Sequence, residues 1–277
     1  HGGKLAFITN WTIDAGEGID DLLVFVFENG DVLIYKGTDP ASASTFSLVG
    51  AWYIGAVPIG RRGFCNFGGD VLIMSELGIQ PLSYVTRGGQ SLLRTNATDY
   101  LAKVQPRFAE LFSENVSTLG WDILLHPHEN LLMVVLPAGA TGTNQQYALY
   151  TNTNGWCVLE GMPIRCGVVS NNDFYFGDDD GNVHLGFDGY FDAVPYGSTV
   201  GSGISGVIQP SFSYFQASGR YKHFLMARPT FLAVDTPSFS IQMSADFEPK
   251  FADSPTPATG GATASAWDTA TWDESYW

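Results

Sequence analysis

The sequence has little charge, and little positive charge above all. Charged residues make up 15% of the 277 residues, and 13 Lys and Arg face 28 Asp and Glu, giving a formal net charge of −15. A protein that binds nucleic acid through its phosphates needs a basic surface, so the composition argues against that class. An acidic surface also repels anionic membranes and acidic substrates. On composition alone, the simplest interpretation is that the acidity keeps the protein in solution.

Long apolar runs, paired cysteines and a leader segment are also missing. No stretch of about 18 apolar residues occurs, so we expect no membrane span. Cys65, Cys157 and Cys166 are odd in number and none has CxxC spacing, which predicts buried free thiols and no need for an oxidising compartment. The chain begins at His1 without a signal peptide or an initiator Met, from which we expect a fragment or a processed product.

Motifs of catalysis are absent as well. The chain has no G-x-S-x-G, no H-E-x-x-H and no phosphate loop. A glycosidase needs two carboxylates facing one sugar ring, and no pair of Asp or Glu is marked by its context. Asn154-Gly155-Trp156 is faintly similar to the aspartate-box turn of sialidase propellers, but without the Ser and Asp that define it. We therefore predict a non-enzymatic protein with no catalytic residues and no cofactor.

Two clusters are candidate metal sites. Asp178-Asp179-Asp180-Gly181-Asn182 is rich in carboxylates, but calcium loops place them at alternate positions with a distal Glu, so a hairpin turn explains the cluster better. In His126-Pro127-His128-Glu129 the two His would share a face of a strand, yet no third ligand is identifiable. We predict no metal. Arg61 and Arg62 are the only adjacent arginines, and we expect the scattered basic residues to form structural salt bridges.

What the sequence does contain is a recurring hairpin, in which a short apolar run is followed by a tight turn and a second apolar run. Asn29-Gly30 predicts a two-residue type I′ turn, which needs positive φ at both positions. Four hairpins are predicted. Their paired apolar runs are Leu22–Phe27 with Val32–Tyr35, Asp70–Met74 with Ile79–Leu82, Tyr147–Tyr150 with Trp156–Leu159, and Asp173–Phe176 with Asn182–Leu185.

Two of these units resemble each other. Residues 67–78 (FGGDVLIMSELG) align loosely with residues 170–181 (SNNDFYFGDDDG), and in both an Asp opens a short apolar strand that ends in a Gly turn. Hairpins that recur at irregular spacing predict a mainly β fold of irregular propeller-like blades. An ordinary sandwich of hairpins is the alternative.

One segment has a helical pattern. Between Thr95 and Asn115, apolar residues recur at spacings of three and four, which predicts an amphipathic helix inserted at about 95–115. Thr98 or Asp99 could cap its start, and Pro106 should kink or divide it.

The pattern changes towards the C-terminus. We expect a propeller-like region at 1–187, an antiparallel sheet region at 188–250, and a Pro/Gly linker with a Trp-rich end at 251–277. Three alternating strands are predicted in the middle region, at Val207–Phe215, His223–Val234 and Phe239–Phe247.

Several segments resemble a family of tailed-phage proteins, the tail nozzle or packaged-DNA-stabilisation proteins of short-tailed phages. The resemblance lies in residues 20–26 (DDLLVFV), 32–43 (VLIYKGTDPASA), 48–50 with 54–55, 58–62 (PIGRR), 67–73 (FGGDVLI), 219–229 (GRYKHFLMARP) and the Trp-Asp-rich end. It touches both ends of the chain, and its motifs are compositional.

The resemblance implies a virion protein that forms or closes the DNA exit channel. This chain would be the central and C-terminal part of a ring subunit, with copies of itself and other tail, adaptor or portal proteins as partners. Double-stranded DNA would pass without specific binding, and excess carboxylates would line the lumen.

The alternative is a phage carbohydrate-binding or depolymerising propeller adhesin, whose site would combine two facing carboxylates with an aromatic floor.

Overall fold

The fold consists of antiparallel sheets in a chain that divides into two units. The computed structural model describes residues 3–14, 19–87, 100–101, 103–142, 144–189, 191–192, 201–216, 218–226, 230, 239–245 and 247–248. Residues 1–190 form one compact unit and residues 191–277 the other. The predicted mainly β class is confirmed, and none of the described sheets closes on itself.

The first sheet has four strands in chain order and the second has three. They are β1 (Leu5–Asp14), β2 (Ile19–Phe27), β3 (Asp31–Gly37) and β4 (Phe46–Tyr53), then β5 (Phe64–Phe67), β6 (Asp70–Ser75) and β7 (Gly78–Pro81). The short helix α1 (Leu82–Thr86) follows directly. Asp70 accepts hydrogen bonds from the N–H of Ser83, at 3.1 Å, and from its hydroxyl group. It thereby satisfies a backbone donor that the first helical turn leaves free.

The third sheet again has four strands in chain order and the fourth has three. They are β8 (Asp122–His126), β9 (Leu131–Val135), β10 (Gln146–Tyr150) and β11 (Gly155–Leu159), then β12 (Cys166–Ser170), β13 (Asp173–Gly177) and β14 (Val183–Gly186). All neighbouring strands within the four sheets are antiparallel.

All four predicted hairpins are confirmed, as β2–β3, β6–β7, β10–β11 and β13–β14. The predicted turn type at Asn29-Gly30 is wrong. Gly30 has a φ of 87°, Asn29 is not in the positive region, and the N–H of Gly30 donates to the carbonyl of Phe27 at 2.9 Å. This is a three-residue loop with glycine in the left-handed position. A Cβ at Gly30 would lie 2.4 Å from the carbonyl oxygen of Ala56.

The predicted helix begins later than expected. Helix α2 spans Gln105–Asn115, with Pro106 in its first turn and Val104 at the N-cap position. Proline is tolerated there because the first turn has no internal acceptor for its missing N–H, so Pro106 starts the helix and does not divide it. Thr98 and Asp99 lie outside the described residues.

The central strands of the middle two sheets are buried on both faces. In β6, Val71 and Ile73 pack against the first sheet and α1, whereas Leu72 and Met74 pack against the third sheet and α2. In β9, Leu132 and Val134 join that second core, and Met133 and Val135 face the fourth sheet with Phe174 and Phe176. Successive strand residues point to opposite faces, so a run that is apolar throughout can serve two cores. The four sheets are therefore packed face to face in chain order.

The cysteines are free thiols, as expected, but their predicted burial is wrong for two of the three. Cys157 and Cys166 are exposed, and Cys65 is half-buried. Burial, with a smaller contribution from the charge of Asp122, raises the pKa of Cys65 to about 12.

The second unit does not form the predicted strands where the structure describes it. Residues 204–214, 221–226 and 239–245 have irregular backbone, and the described strands of this unit are β15 (Phe191–Asp192) and β16 (Ser202–Gly203). In the run Val207–Phe215, Pro210 lacks the N–H that a ladder requires, so alternation alone misled the prediction. The rest of the segments 223–234 and 239–247, and the whole of 251–277, lie outside the described residues.

In the part of the chain that the structure describes, no helix is both long and apolar enough to cross a membrane.

The layered packing predicts unequal costs for two substitutions in the fourth sheet. Phe174 is fully buried between the third and fourth sheets, so Phe174→Ala should lower the free energy of unfolding by about 3–5 kcal/mol. Val168 lies on the neighbouring strand with its side chain exposed, so Val168→Ala should change it by about 0.5 kcal/mol or less. Urea unfolding at a concentration where the protein is monomeric measures both, and equal costs would contradict the layered arrangement.

Candidate functional site

Polar side chains collect where the second, third and fourth sheets meet. We call Arg62, Asp122, Arg165, Asp178 and Asp179 the polar junction. Arg62 precedes β5, Asp122 opens β8, Arg165 precedes β12, and the two other Asp follow β13. β8 lies beside both β5 and β12, so the first strands of three successive sheets converge on this place.

Arg62 joins all three sheets. Its Nε lies 3.3 Å from Oδ2 of Asp122, and its Nη2 donates to the carbonyl of Arg165 at 2.8 Å. Its own carbonyl accepts the N–H of Ile123 at 3.3 Å, and Arg62 and Asp122 form a parallel bridge. One side chain and its backbone thus fix the relative positions of the second, third and fourth sheets.

Asp122 is a buried carboxylate whose ionisation is disfavoured. Its side chain is 7% exposed, and Oδ1 accepts the N–H of Ile123 at 2.9 Å. Burial raises the pKa of Asp122 to about 6, although Arg62 and the hydrogen bond from Ile123 act in the opposite direction. Acid–base catalysts often have a pKa shifted in this way, but buried structural pairs do too.

Arg165 and Asp179 form a bidentate ion pair. Nε and Nη2 of Arg165 each lie 2.7 Å from one oxygen of Asp179, and Nη2 also donates to Oδ1 of Asn144 at 3.2 Å. This parallel geometry is the strong form of an Arg–carboxylate pair. The hydrogen bonds from Arg165 hold the pKa of Asp179 below its usual value.

Asp178 organises the turn between β13 and β14. Its carboxylate accepts the N–H of Asp180 at 2.9 Å, and the N–H and side-chain amide of Asn182 at 2.8 and 3.0 Å. Nε2 of His184 lies 2.7 Å from Oδ2. The hydrogen bonds from His184 and Asn182 lower the pKa of Asp178. The carboxylate that the sequence offered as a calcium ligand is thus occupied by donors of its own hairpin, and the described residues contain no cluster of three or more groups suited to a metal.

The two His residues of the second metal candidate do not share a strand face. β8 ends at His126, and residues 127–130 form a turn, so His128 is exposed while His126 is 2% exposed. The His126 ring lies against Phe174 and Phe187, with centroid distances of 6.2 and 5.8 Å, and its Nδ1 has no hydrogen-bond partner. Burial lowers the pKa of His126. The His126 ring therefore packs as an aromatic side chain between the third and fourth sheets.

Asn154-Gly155-Trp156 also has a structural role. Asn154 takes a φ of 52° in the turn before β11, and its carbonyl accepts a hydrogen bond from Nζ of Lys103 at 2.5 Å. Trp156 donates from Nε1 to the carbonyl of Tyr100 at 3.1 Å and packs against Phe108. These contacts attach the edge of the third sheet to the segment around α2.

The sequence pointed to part of the junction. The expectation that the scattered basic residues form structural salt bridges holds for Arg62 and Arg165, but it did not identify Asp122 and Asp179 as their partners. A weak signal for Asp122 existed, because Asp70 and Asp173 also open short apolar strands, although theirs are the middle strands of their sheets and that of Asp122 is an edge strand. No such signal marks Arg165, whose partner lies 14 residues away.

No protein-family model matches the chain, and no curated protein matches it either.

The arrangement is suited to holding sheets together. The carboxylates of the junction are hydrogen-bonded to groups of the same chain, and the shifted pKa of Asp122 arises inside an interface between sheets. The bonds of Arg62 to Asp122 and to the carbonyl of Arg165 join elements that are far apart in sequence, which is the role of a structural clamp.

Two of the three acids of the junction, Asp122 and Asp179, should give opposite pH dependences. Asp122 has a raised folded-state pKa, so its contribution to stability is present below its ordinary pKa and is lost as the pH rises through about 6. The stability of Asp122→Asn relative to wild type should therefore increase between about pH 4 and pH 7.

Asp179→Asn is the matched control. Its folded-state pKa is lowered, so its contribution is present above the ordinary pKa and is lost as the pH falls. Its stability relative to wild type should decrease as the pH rises from about 2 to about 5, and change little above that. Chemical denaturation at a series of pH values measures both trends, and slopes of equal sign would show that the environment of Asp122 is not as described.

Proposed function

We propose that this chain is a non-enzymatic structural subunit of a short phage tail, which assembles with copies of itself into a ring around the DNA exit path. The observation that supports assembly most directly is that the layered sheets end in two exposed apolar faces. Large exposed apolar patches mark interaction surfaces.

The first of these surfaces is the outer face of the fourth sheet. Its apolar part consists of Cys166, Val168, Tyr175, Val183 and Leu185, and Val168, Tyr175 and Leu185 form one cross-strand row, while Ser170 and Asp173 lie at one end of the same face. Val168 is 58% exposed, Val183 75% and Leu185 45%. The opposite face carries Phe174 and Phe176 and is buried, so both faces of this sheet are apolar.

The second surface is the outer face of the first sheet. It contains two apolar cross-strand rows, which are Ile8, Phe25 and Leu33, and Leu23, Tyr35 and Leu48, with the polar residues Asn10, Thr12 and Asp21 at one end. Ile8 is 47% exposed and Leu48 51%, and the other four are half-buried. A sheet with one solvated face normally alternates apolar and polar residues. Apolar side chains on both faces instead suit a sheet that is covered on both sides.

The sheet order also favours propeller-like blades over a sandwich. A two-sheet sandwich buries one face of each sheet, whereas here the second and third sheets bury both. Sheets of three or four consecutive strands that pack face to face in chain order are the units of a propeller. The first strands β5, β8 and β12 lie next to one another, as they would around a common axis.

The acidity suits a conduit for DNA. Each contact between a cation and a phosphate adds a salt-dependent attraction that would slow the movement of DNA. With 28 acidic against 13 basic residues, we propose that some of the excess carboxylates face the lumen of the ring. Tail, adaptor or portal proteins would be the neighbours of such a ring in the virion.

A carbohydrate-binding adhesin is the second candidate, and one observation favours it. On the outer face of the first sheet, the rings of Tyr35 and Phe46 are stacked with centroids 5.0 Å apart, and Phe25 contacts Tyr35 edge-on at 5.6 Å. Such a row of rings suits stacking on sugars.

The assembly proposal predicts a closed oligomer without affinity for DNA. Mass photometry and negative-stain electron microscopy of the purified chain should show a ring of uniform size. Fluorescence anisotropy with a labelled duplex should show no binding even at low salt, where phosphate contacts are strongest. A monomer that binds or cleaves a polysaccharide would favour the adhesin, and a ring with a neutral or basic channel would contradict the role of the carboxylates.

A further inference from the structure

The second and fourth sheets are repeats of one another. Each has three strands, and each joins its first two strands through a two-residue turn, at Gly68-Gly69 and Asn171-Asn172. Both Asn of the second turn have positive φ, and an Asp follows each turn at the start of the middle strand. The loose sequence match between residues 67–78 and 170–181 therefore corresponds to equivalent positions in two sheets.

This equivalence shows which face of each sheet meets the preceding sheet and which face meets the following sheet. Val71 and Ile73 of β6 contact the preceding sheet, and their counterparts Phe174 and Phe176 of β13 do the same. Leu72 of β6 points the other way, into the core with the following sheet. Its counterpart is Tyr175, in the middle of the outer face of the fourth sheet. In the second sheet, the face equivalent to this outer face is covered by the following sheet.

The number of strands indicates what kind of sheet is missing. The four sheets have four, three, four and three strands in chain order. The three-stranded second sheet is followed by a four-stranded sheet, so the equivalent cover for the fourth sheet is also four-stranded. The first sheet has four strands, and in the part of the chain that the structure describes no other sheet covers its apolar outer face. Both faces are exposed among the described residues, so a second copy of the chain can supply the cover that each of them lacks.

We infer that the outer face of the fourth sheet of one copy packs on the outer face of the first sheet of a second copy, head to tail. This inference rests on the proposed ring assembly and names the surfaces that carry it. Between two copies, this contact has the same arrangement as the packing of the second sheet on the third within one copy. Since the two surfaces differ, the contact is heterologous, and copies continue to add until a ring closes or a filament grows.

Cys166 provides a direct probe, because it is exposed on the outer face of the fourth sheet. Cys157 is an exposed thiol on β11 and serves as the internal control. Maleimide labelling followed by peptide mass spectrometry should show Cys166 protected at assembling concentrations and reactive in the dilute monomer, with Cys157 reactive in both. Protection of Cys166 in the dilute monomer would overturn the inference, because the chain would then cover this face by itself.

Substitutions test the pairing of the two faces. Val168→Lys places a charge on the outer face of the fourth sheet and Ile8→Lys on that of the first, and both positions are exposed, so the fold should tolerate them. Either variant should weaken self-association by about 100-fold or more, because an unpaired ammonium group would be buried in an apolar contact. Leu119→Lys is the control, since Leu119 is 84% exposed and lies outside both faces.

Mixing the two variants distinguishes head-to-tail pairing from symmetric pairing. Each variant retains one intact face, so an equimolar mixture should form a one-to-one dimer and nothing larger. Association of either variant with itself at wild-type strength would overturn the inference while leaving ring assembly intact. A polydisperse filament that both substitutions abolish would support the contact and contradict the ring. A wild-type chain that stays monomeric at all concentrations would contradict both.

Discussion

The structure of the first unit depends on the burial of both faces of its two middle sheets. In β6 and β9 every second side chain faces one core and the others face the next, so each strand links two layers. Burial of apolar surface is the dominant favourable contribution to folding. A sheet that is apolar on both faces therefore gains most stability when other layers cover both of them. The first and fourth sheets are covered on one face only, and we propose that their uncovered apolar faces mediate assembly.

The polar junction complements this packing. Apolar contact is not directional, so it brings layers together without fixing how they are aligned. Arg62 ties the starts of three sheets through Asp122 and the carbonyl of Arg165, and Arg165 is held in turn by Asp179. These bonds are directional and lie near the convergent first strands, where a small rotation of one sheet would break them.

Local features of the fold could be predicted from the sequence, and features that depend on neighbours could not. The four hairpins follow from apolar runs separated by turn residues. The start of α2 was misplaced because Pro106 was interpreted as an interruption, although proline fits the first turn of a helix. The strand at 207–215 failed because alternation does not supply a partner for a segment that contains Pro210. At the candidate site, the turn role of Asp178 follows from its spacing, whereas the pair of Arg165 with Asp179 requires the fold.

Electron cryo-microscopy of the assembled chain would test the central claim most directly, namely that the layered packing continues from one copy to the next. The predicted map shows the fourth sheet of each copy lying face to face on the first sheet of its neighbour, about 10 Å away, as in the packing of stacked sheets. Val168 and Ile8 would lie inside that contact. A map in which copies associate through other surfaces, with these two faces in solvent, would contradict the account.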